Sequence, residues 1–592
     1  MYDIKIIGGT IVDGTGKPRF QGDVGIIGDR IAAVGDVPGD ARRVIDATGC
    51  IVTPGFVDIH THYDGQVSWD EELAPSSIHG VTTAVMGSCG VGFAPVRPTD
   101  HAKLVELMEG VEDIPGSALS EGISWGWESF PEYMATLDAM PHSIDFMCLV
   151  PHDALRVYVM GERCGADQQA TPEDIAAMRR IVREAVEAGA AGFSTGRSDN
   201  HRSAKGEWTP SSEAAAEELA GIAAAFQGLG HGVLQAVSDF DILRGDVHFD
   251  REFKLLEGMV RSGGGRPMSI STMQRDHSKD QWKWILERAE KLVAEGFNVR
   301  CQVAPRGIGV ILGLEATFHP FMGFPSYKRI SHLPLAERVA RMREPGFKAQ
   351  LLSEKSEPVA GDGSMLPPLA DFFLQNLNLI VFRLFRLGER PNYEPTLMES
   401  LGFEAKQKDI PVMSLIFDAM IENDGKSLIY FPVYNYTEGN LDNVHAMLTH
   451  PLAIPGLSDG GAHVGTICDA SFSTFLLTHW ARDRQKGQIP LERVVQLQTS
   501  ETAAYIGLPD RGVLAPGLKA DLNVIDFDNL RLHPPAIRHD LPAGGGRLIQ
   551  LAEGYRATVV SGQVIVEDGV LTDARPGRLV RAGQVKALVE QV

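Results

Sequence analysis

Cysteine is scarce and scattered. Six occur in 592 residues, at positions 50, 89, 148, 164, 301 and 468, and none forms a CxxC pair. That usage argues against a disulfide framework and fits a chain kept in a reducing cytoplasm. Positive charge is also short: 55 Lys and Arg stand against 77 Asp and Glu, for a net charge of −22. Nucleic acids and anionic membranes call for basic patches, so both are disfavoured as partners. No apolar run is long enough to span a bilayer, and the start MYDIKIIGGT has neither the basic segment nor the apolar stretch of a signal peptide. No GxGxxG opens a helix after the first strand, which disfavours a dinucleotide-binding fold.

What is present is a chain too long for one ordinary core, so a large domain plus a smaller one is expected. Residues 3–52 read as short strands around Gly-rich turns, as in DIKIIGGTIVDGTG and GDVGIIGDRIAAVGD. The same texture returns in DRGVLAPGLKADLNVIDFD and YRATVVSGQVIVEDG. Residues 1–53 with 506–575 are therefore expected to form one small β-sandwich domain from both ends of the chain, with 576–592 as a C-terminal tail.

The middle alternates helix and strand. TPEDIAAMRRIVREAVEAG is a helix with visible ends: Thr171 caps it, Pro172 suits the first turn, Asp174 completes a capping box and Gly189 stops it. Helices near 212–227, 250–261 and 280–295 then alternate with apolar runs near 232–237, 267–272 and 298–304. This is the rhythm of βα units on a parallel sheet. Residues 54–505 are read as an α/β domain, a (β/α)8 barrel, with a doubly wound open sheet as the alternative. Residues 305–410 are too long for one βα unit. They read as an insertion, and its stretch GVILGLEATFHPFMGF is expected over the barrel mouth.

In a barrel, chemistry sits at the C-terminal ends of the strands. The stretch PGFVDIHTHYDG (54–65) puts His60 and His62 two residues apart at such an end, facing one way. Alone, that pair is open between a metal site and two polar surface residues. VTTAVMGSCGVG brings Cys89 to the end of strand 2, FMCLVPHDALR brings His152 to the end of strand 3, and AIPGLSDGGAHVG brings Asp459 to the end of the last strand. His463 follows Asp459 by four residues and is placed to orient it or touch substrate. Arg156, Arg197, Arg202 and Arg306 follow predicted strands, where a guanidinium fork could meet a substrate carboxylate.

These motifs, with GGTIVDGTG, GAAGFSTG and DRGVLAPGLKADLNVID, resemble the amidohydrolase superfamily and within it the D-aminoacylases, over nearly the whole chain. The resemblance implies a barrel with a β-sandwich flank and amide hydrolysis by metal-activated water. It carries over His60 and His62 as strand-1 ligands, Cys89 as a strand-2 ligand, and Asp459 as both ligand and base. The family pattern also supplies histidines from strands 5 and 6. Here strand 5 reads GVLQAVSDF and strand 6 reads RPMSISTMQ, offering Gln235, Ser238, Asp239, Ser271, Thr272 and Gln274, with His277 displaced and His231 at the wrong strand end. Strand 4, GFSTGRSD, has no lysine to carbamylate. One zinc per chain is therefore expected.

The expectation is a cytoplasmic hydrolase of a small-molecule amide, most simply an N-acyl amino acid, with oligomeric state left open. The alternatives are another small amide, a cyclic amide, a carbamate or an amide-linked toxin or drug, or a catalytically reduced scaffold used for binding.

Overall fold

The computed structural model describes residues 1–240, 245–359 and 368–585. Eight parallel strands form its centre: Phe56–Asp58, Val81–Met86, Asp145–Pro151, Gly192–Arg197, Val233–Ser238, Met268–Thr272, Val299–Val303 and Ala453–Pro455. Each pairs with the next in sequence order. The ring closes just beyond the strands, where Thr61 bridges Gly460 in parallel and the Asp459 N–H donates to the His60 carbonyl at 3.2 Å. This is the expected (β/α)8 barrel, with strand and helix positions within a few residues of those read from the alternation.

Local sequence explains the helices. Thr171 and Asp174 form the capping box of helix Pro172–Glu187, and Met178, Val182 and Val186 bury its apolar stripe. Such stripes pack around strands whose residues are almost all buried, as parallel sheets covered on both sides require.

The chain ends share one nine-stranded sheet. Leu522–Ile525 lies between Ile51–Pro54 and Tyr555–Val560. Its core gathers Ile6, Ile11, Val24, Val52, Leu522 and Val559. A buried ion network ties this layer to the barrel floor. Asp145, at the start of barrel strand 3, meets Arg511 at 2.7 Å and Lys519 at 3.0 Å, and Lys519 also meets Asp521 at 2.7 Å.

The C-terminal segment does not hang free. Leu579 bridges Phe146, and Val580 and Ala582 join Val57, Met147, Leu149 and Ile454 in the core at the barrel floor. Residues 586–592 of the expected tail lie outside the described residues.

Between the last two barrel strands the chain makes a long excursion with its own core of Phe321, Leu401, Ile416, Met420 and Ile429. The excursion runs past residue 410, because Ile429–Tyr434 returns to pair antiparallel with Ile308–Leu312. Ile308, Val310, Leu312 and Phe318 line a cavity that reaches His60, Cys89 and Asp459, so this segment covers the mouth. Residues 360–367 of it lie outside the described residues. Among the described residues, no helix is long and apolar enough to cross a membrane.

Candidate metal centre and active site

His60 and His62 follow barrel strand 1 directly, and both are buried. Their rings stand 5.5 Å apart. Barrel closure carries Asp459 to them: its Oδ1 lies 3.3 Å from His60 Nε2 and 3.7 Å from His62 Nε2. Cys89 Sγ completes the group at 3.3 Å from His60 Nε2. Ligand atoms of His60, His62 and Cys89 all lie within 4.8 Å of one another. Imidazole nitrogens, a thiol sulfur and a carboxylate oxygen are the kinds of donor that a four-coordinate zinc site uses, and this cluster is a candidate for one.

The backbone is bent to make it. Cys89, Leu457, Asp459 and His463 all sit in the left-handed region, with φ of 56°, 60°, 51° and 46°. Non-glycine residues adopt this conformation at a cost, and such positions cluster at functional sites. Gly87 makes the turn ahead of Cys89 with φ of 83°, and a Cβ there would fall 2.4 Å from the Leu149 carbonyl oxygen.

A second layer of side chains orients the donors. Gln302 turns its amide NH2 to Ser269 Oγ at 2.8 Å, so its Oε1 faces His60 Nδ1 at 2.7 Å. His60 then carries its proton on Nδ1 and aims the Nε2 lone pair at Cys89 and Asp459. On the other side Glu112, completely buried, places Oε1 3.1 Å from His62 Nδ1 and Oε2 3.5 Å from His463 Nε2. Gln235 lies beneath, its Nε2 3.4 Å from His60 Nδ1 and its Oε1 accepting from the Cys89 N–H at 3.4 Å.

The electrostatics are uneven. Burial pushes the His60 imidazole down to about 4. Burial also acts on His62, but Glu112 and Asp459 outweigh it and raise His62 to about 9. Burial lifts the Glu112 carboxyl to about 7 and the Cys89 thiol well above its usual range. Asp459 goes the other way: burial opposes its charge, yet the histidines around it hold the carboxyl well below the usual range. Both His62 nitrogens, both Glu112 oxygens and Asp459 Oδ1 are buried without a well-aligned hydrogen bond. Buried polar atoms are normally satisfied, so this cluster of orphans fits the coordination sphere of a cation and its supports.

His463 lines the cavity beside Asp459, whereas His152, Arg156 and Arg306 do not. The structure gives these three another task. His152 bonds Thr195 and Glu218, each at 2.9 Å, and Arg156 meets the same Glu218 at 2.6 Å. Arg306 is buried against Asp469 at 2.9 Å and over the Tyr393 ring. Their polar groups are consumed inside the protein. Arg197 likewise pairs with Glu252, and Arg202 covers Trp208. His277 is exposed, and His231 bonds the Val186 carbonyl at the opposite strand end.

Sequence reading missed Glu112 and His201. Glu112 had a signal: Leu104, Met108 and Glu112 recur at four-residue spacing, which puts a carboxylate on the apolar stripe of helix His101–Glu112. His201, in the loop after barrel strand 4, lines the cavity with Asp239.

The Amidohydrolase family profile matches residues 43–361 and 428–566. The D-aminoacylase of Alcaligenes xylosoxydans xylosoxydans is 28% identical over 587 residues, spanning 98% of this chain and 97% of that one. The N-acyl-D-aspartate deacylase of the same organism is 26% identical over 586 residues, spanning 98% and 95%. A solved D-aminoacylase, described for the functional role of its binuclear metal center with one-metal activation and second-metal attenuation, matches at a TM-score of 0.61 and 25% identity, over 98% of this chain and 100% of that one. By sequence and by fold, the chain belongs to the amidohydrolase family.

Proposed function

We propose that this protein is a zinc-dependent hydrolase that cleaves the amide C–N bond of an N-acyl amino acid, most simply an N-acyl-D-amino acid. One observation carries the reading: His60, His62, Cys89 and Asp459 bring four donors together, and His60, Cys89 and Asp459 line a cavity open to a small molecule. The similarity to deacylases along the whole chain supports the bond type.

His60, His62, Cys89 and Asp459 would hold the ion. Zinc bound among such donors lowers the pKa of water and polarises a carbonyl. Asp459 is kept ionised, and its side chain lines the cavity. It can take a proton from the attacking water and hand it to the departing amine nitrogen. His463, at the cavity edge beside Asp459, is placed to touch the substrate. Four converging donors argue against an idle scaffold.

We further assign the two chain ends to one β domain, residues 54–505 to the catalytic barrel, and the protein to the cytoplasm. The last assignment rests on six cysteines that are all buried and unbridged.

Elemental analysis of the purified protein, followed by a panel of N-acyl-D- and N-acyl-L-amino acids, tests the proposal. Bound zinc and release of free amino acid are expected. A metal-free protein that zinc does not activate would refute it.

A further inference from the structure

Away from His60, Cys89 and Asp459, the cavity is lined mostly by apolar side chains and forms a chamber. Val237, Met273 and Leu457 wall it from the barrel, and Val310, Phe373 and Phe431 wall it from the inserted segment. The whole cavity, donor cluster included, has a volume of about 260 Å3. One water claims roughly 30 Å3 of liquid, so the space far exceeds what an acetyl methyl needs. We infer that the chamber receives the acyl arm of the substrate, and that the preferred substrate carries a medium-length or aromatic acyl group. This rests on the amide-hydrolase reading above.

The chemistry of the products selects that arm. Water adds across the scissile bond: the carbonyl carbon gains oxygen, the C–N bond breaks and the nitrogen leaves with the proton. The amine product becomes an ammonium ion next to the carboxylate of its amino acid. Burying those charges against carbon walls is costly. The acyl product has its only charge at the reaction centre, and beyond it nothing opposes apolar burial. Asn200 and Asp239 also line the cavity, and their polar groups suit the amine.

The test is an acyl-length series from acetyl to decanoyl on one constant D-amino acid. A parallel series varies the amino acid from D-alanine to D-leucine and D-phenylalanine with acetyl constant. In the first series kcat/KM should rise about fourfold per added methylene until the chamber is full. Val310→Trp should move the optimum to shorter chains, read as the octanoyl-to-acetyl ratio of kcat/KM within one preparation, which a partly misfolded sample does not distort. A flat or falling acyl series with acetyl still cleaved overturns the assignment and leaves the hydrolase reading intact. A steep rise confined to the amino-acid series also overturns it, by giving the chamber to the amine side. Failure to cleave any N-acyl amino acid removes the underlying reading, and this inference with it.

Discussion

Glu112 Oε1 stands 3.1 Å from His62 Nδ1, a carboxylate behind an imidazole whose other nitrogen faces Asp459. A carboxylate there keeps the proton on Nδ1 and turns Nε2 toward the donor cluster. Outer partners of this kind change metal affinity by about 10–100-fold when removed. Glu112→Gln should weaken zinc binding by that order, read by competition with a chromophoric chelator, and Glu112→Ala should weaken it further. Equal affinity in all three proteins would mean that Glu112 only fills space.

Asp459 offers a sharper test. It is both donor and base in the proposed reaction. Asp459→Asn keeps the shape and removes the charge, so turnover should fall on the order of 10²-fold or more while circular dichroism stays native. A folded variant with near-wild-type turnover would exclude Asp459 as base.

Metal count follows from what lies beneath His60. A second ion would need several further donors at roughly 2.0–2.3 Å. Beside His60 the neighbours are neutral amides: Gln302 bonds His60 Nδ1 at 2.7 Å and Gln235 lies 3.4 Å from the same atom. Amides are poor zinc ligands beside imidazole, and two close dications repel without anionic donors. Elemental analysis should give one metal per chain, and a His60→Ala, His62→Ala double variant should lose metal and activity together. Two tightly held metals in an active preparation would contradict this.

The Asp145 network predicts the acid limb of stability. Burial opposes the Asp145 charge, but Lys519 and Arg511 outweigh it and lower the carboxyl below its ordinary value in the folded protein. A depressed folded pKa favours the native state above the unfolded pKa of about 3.9, and that gain disappears as pH falls through the folded value. Melting temperature should therefore drop on acidification below about pH 4, and less so in Asp145→Asn. At neutral pH that variant leaves two buried cations short of a partner and should cost about 3–5 kcal/mol in chemical denaturation. Unchanged stability at pH 7 would show that Asp510, 2.9 Å from Arg511, and Asp521, 2.7 Å from Lys519, neutralise both cations by themselves.

The barrel was legible because fully buried apolar runs alternate with helices whose caps are written in the chain, as at Thr171 and Asp174. The convergence of His60, His62, Cys89 and Asp459 was legible because each follows a strand in a motif that resembles the family's. Partnerships across space were not. His152 ends a strand as a site residue should, yet its fate is set by Glu218, 66 positions away on another helix. Arg306 is likewise claimed by Asp469, 163 positions on. Strand ends say where a side chain starts, whereas a distant partner decides what it is free to do.

The sheet that joins both chain ends has a consequence for biosynthesis. Leu522–Ile525 inserts beside Ile51–Pro54, so the apolar cluster carrying Ile6, Ile11, Val24 and Val52 lacks its partners Leu522 and Val559 until those residues have left the ribosome. Pairings so remote along the chain form late, and unpaired edges of this kind invite association while they wait. A nascent chain stalled before residue 522 should bind holdase chaperones through its first fifty residues, and a circular permutant that begins inside the inserted segment should fold faster than the natural order.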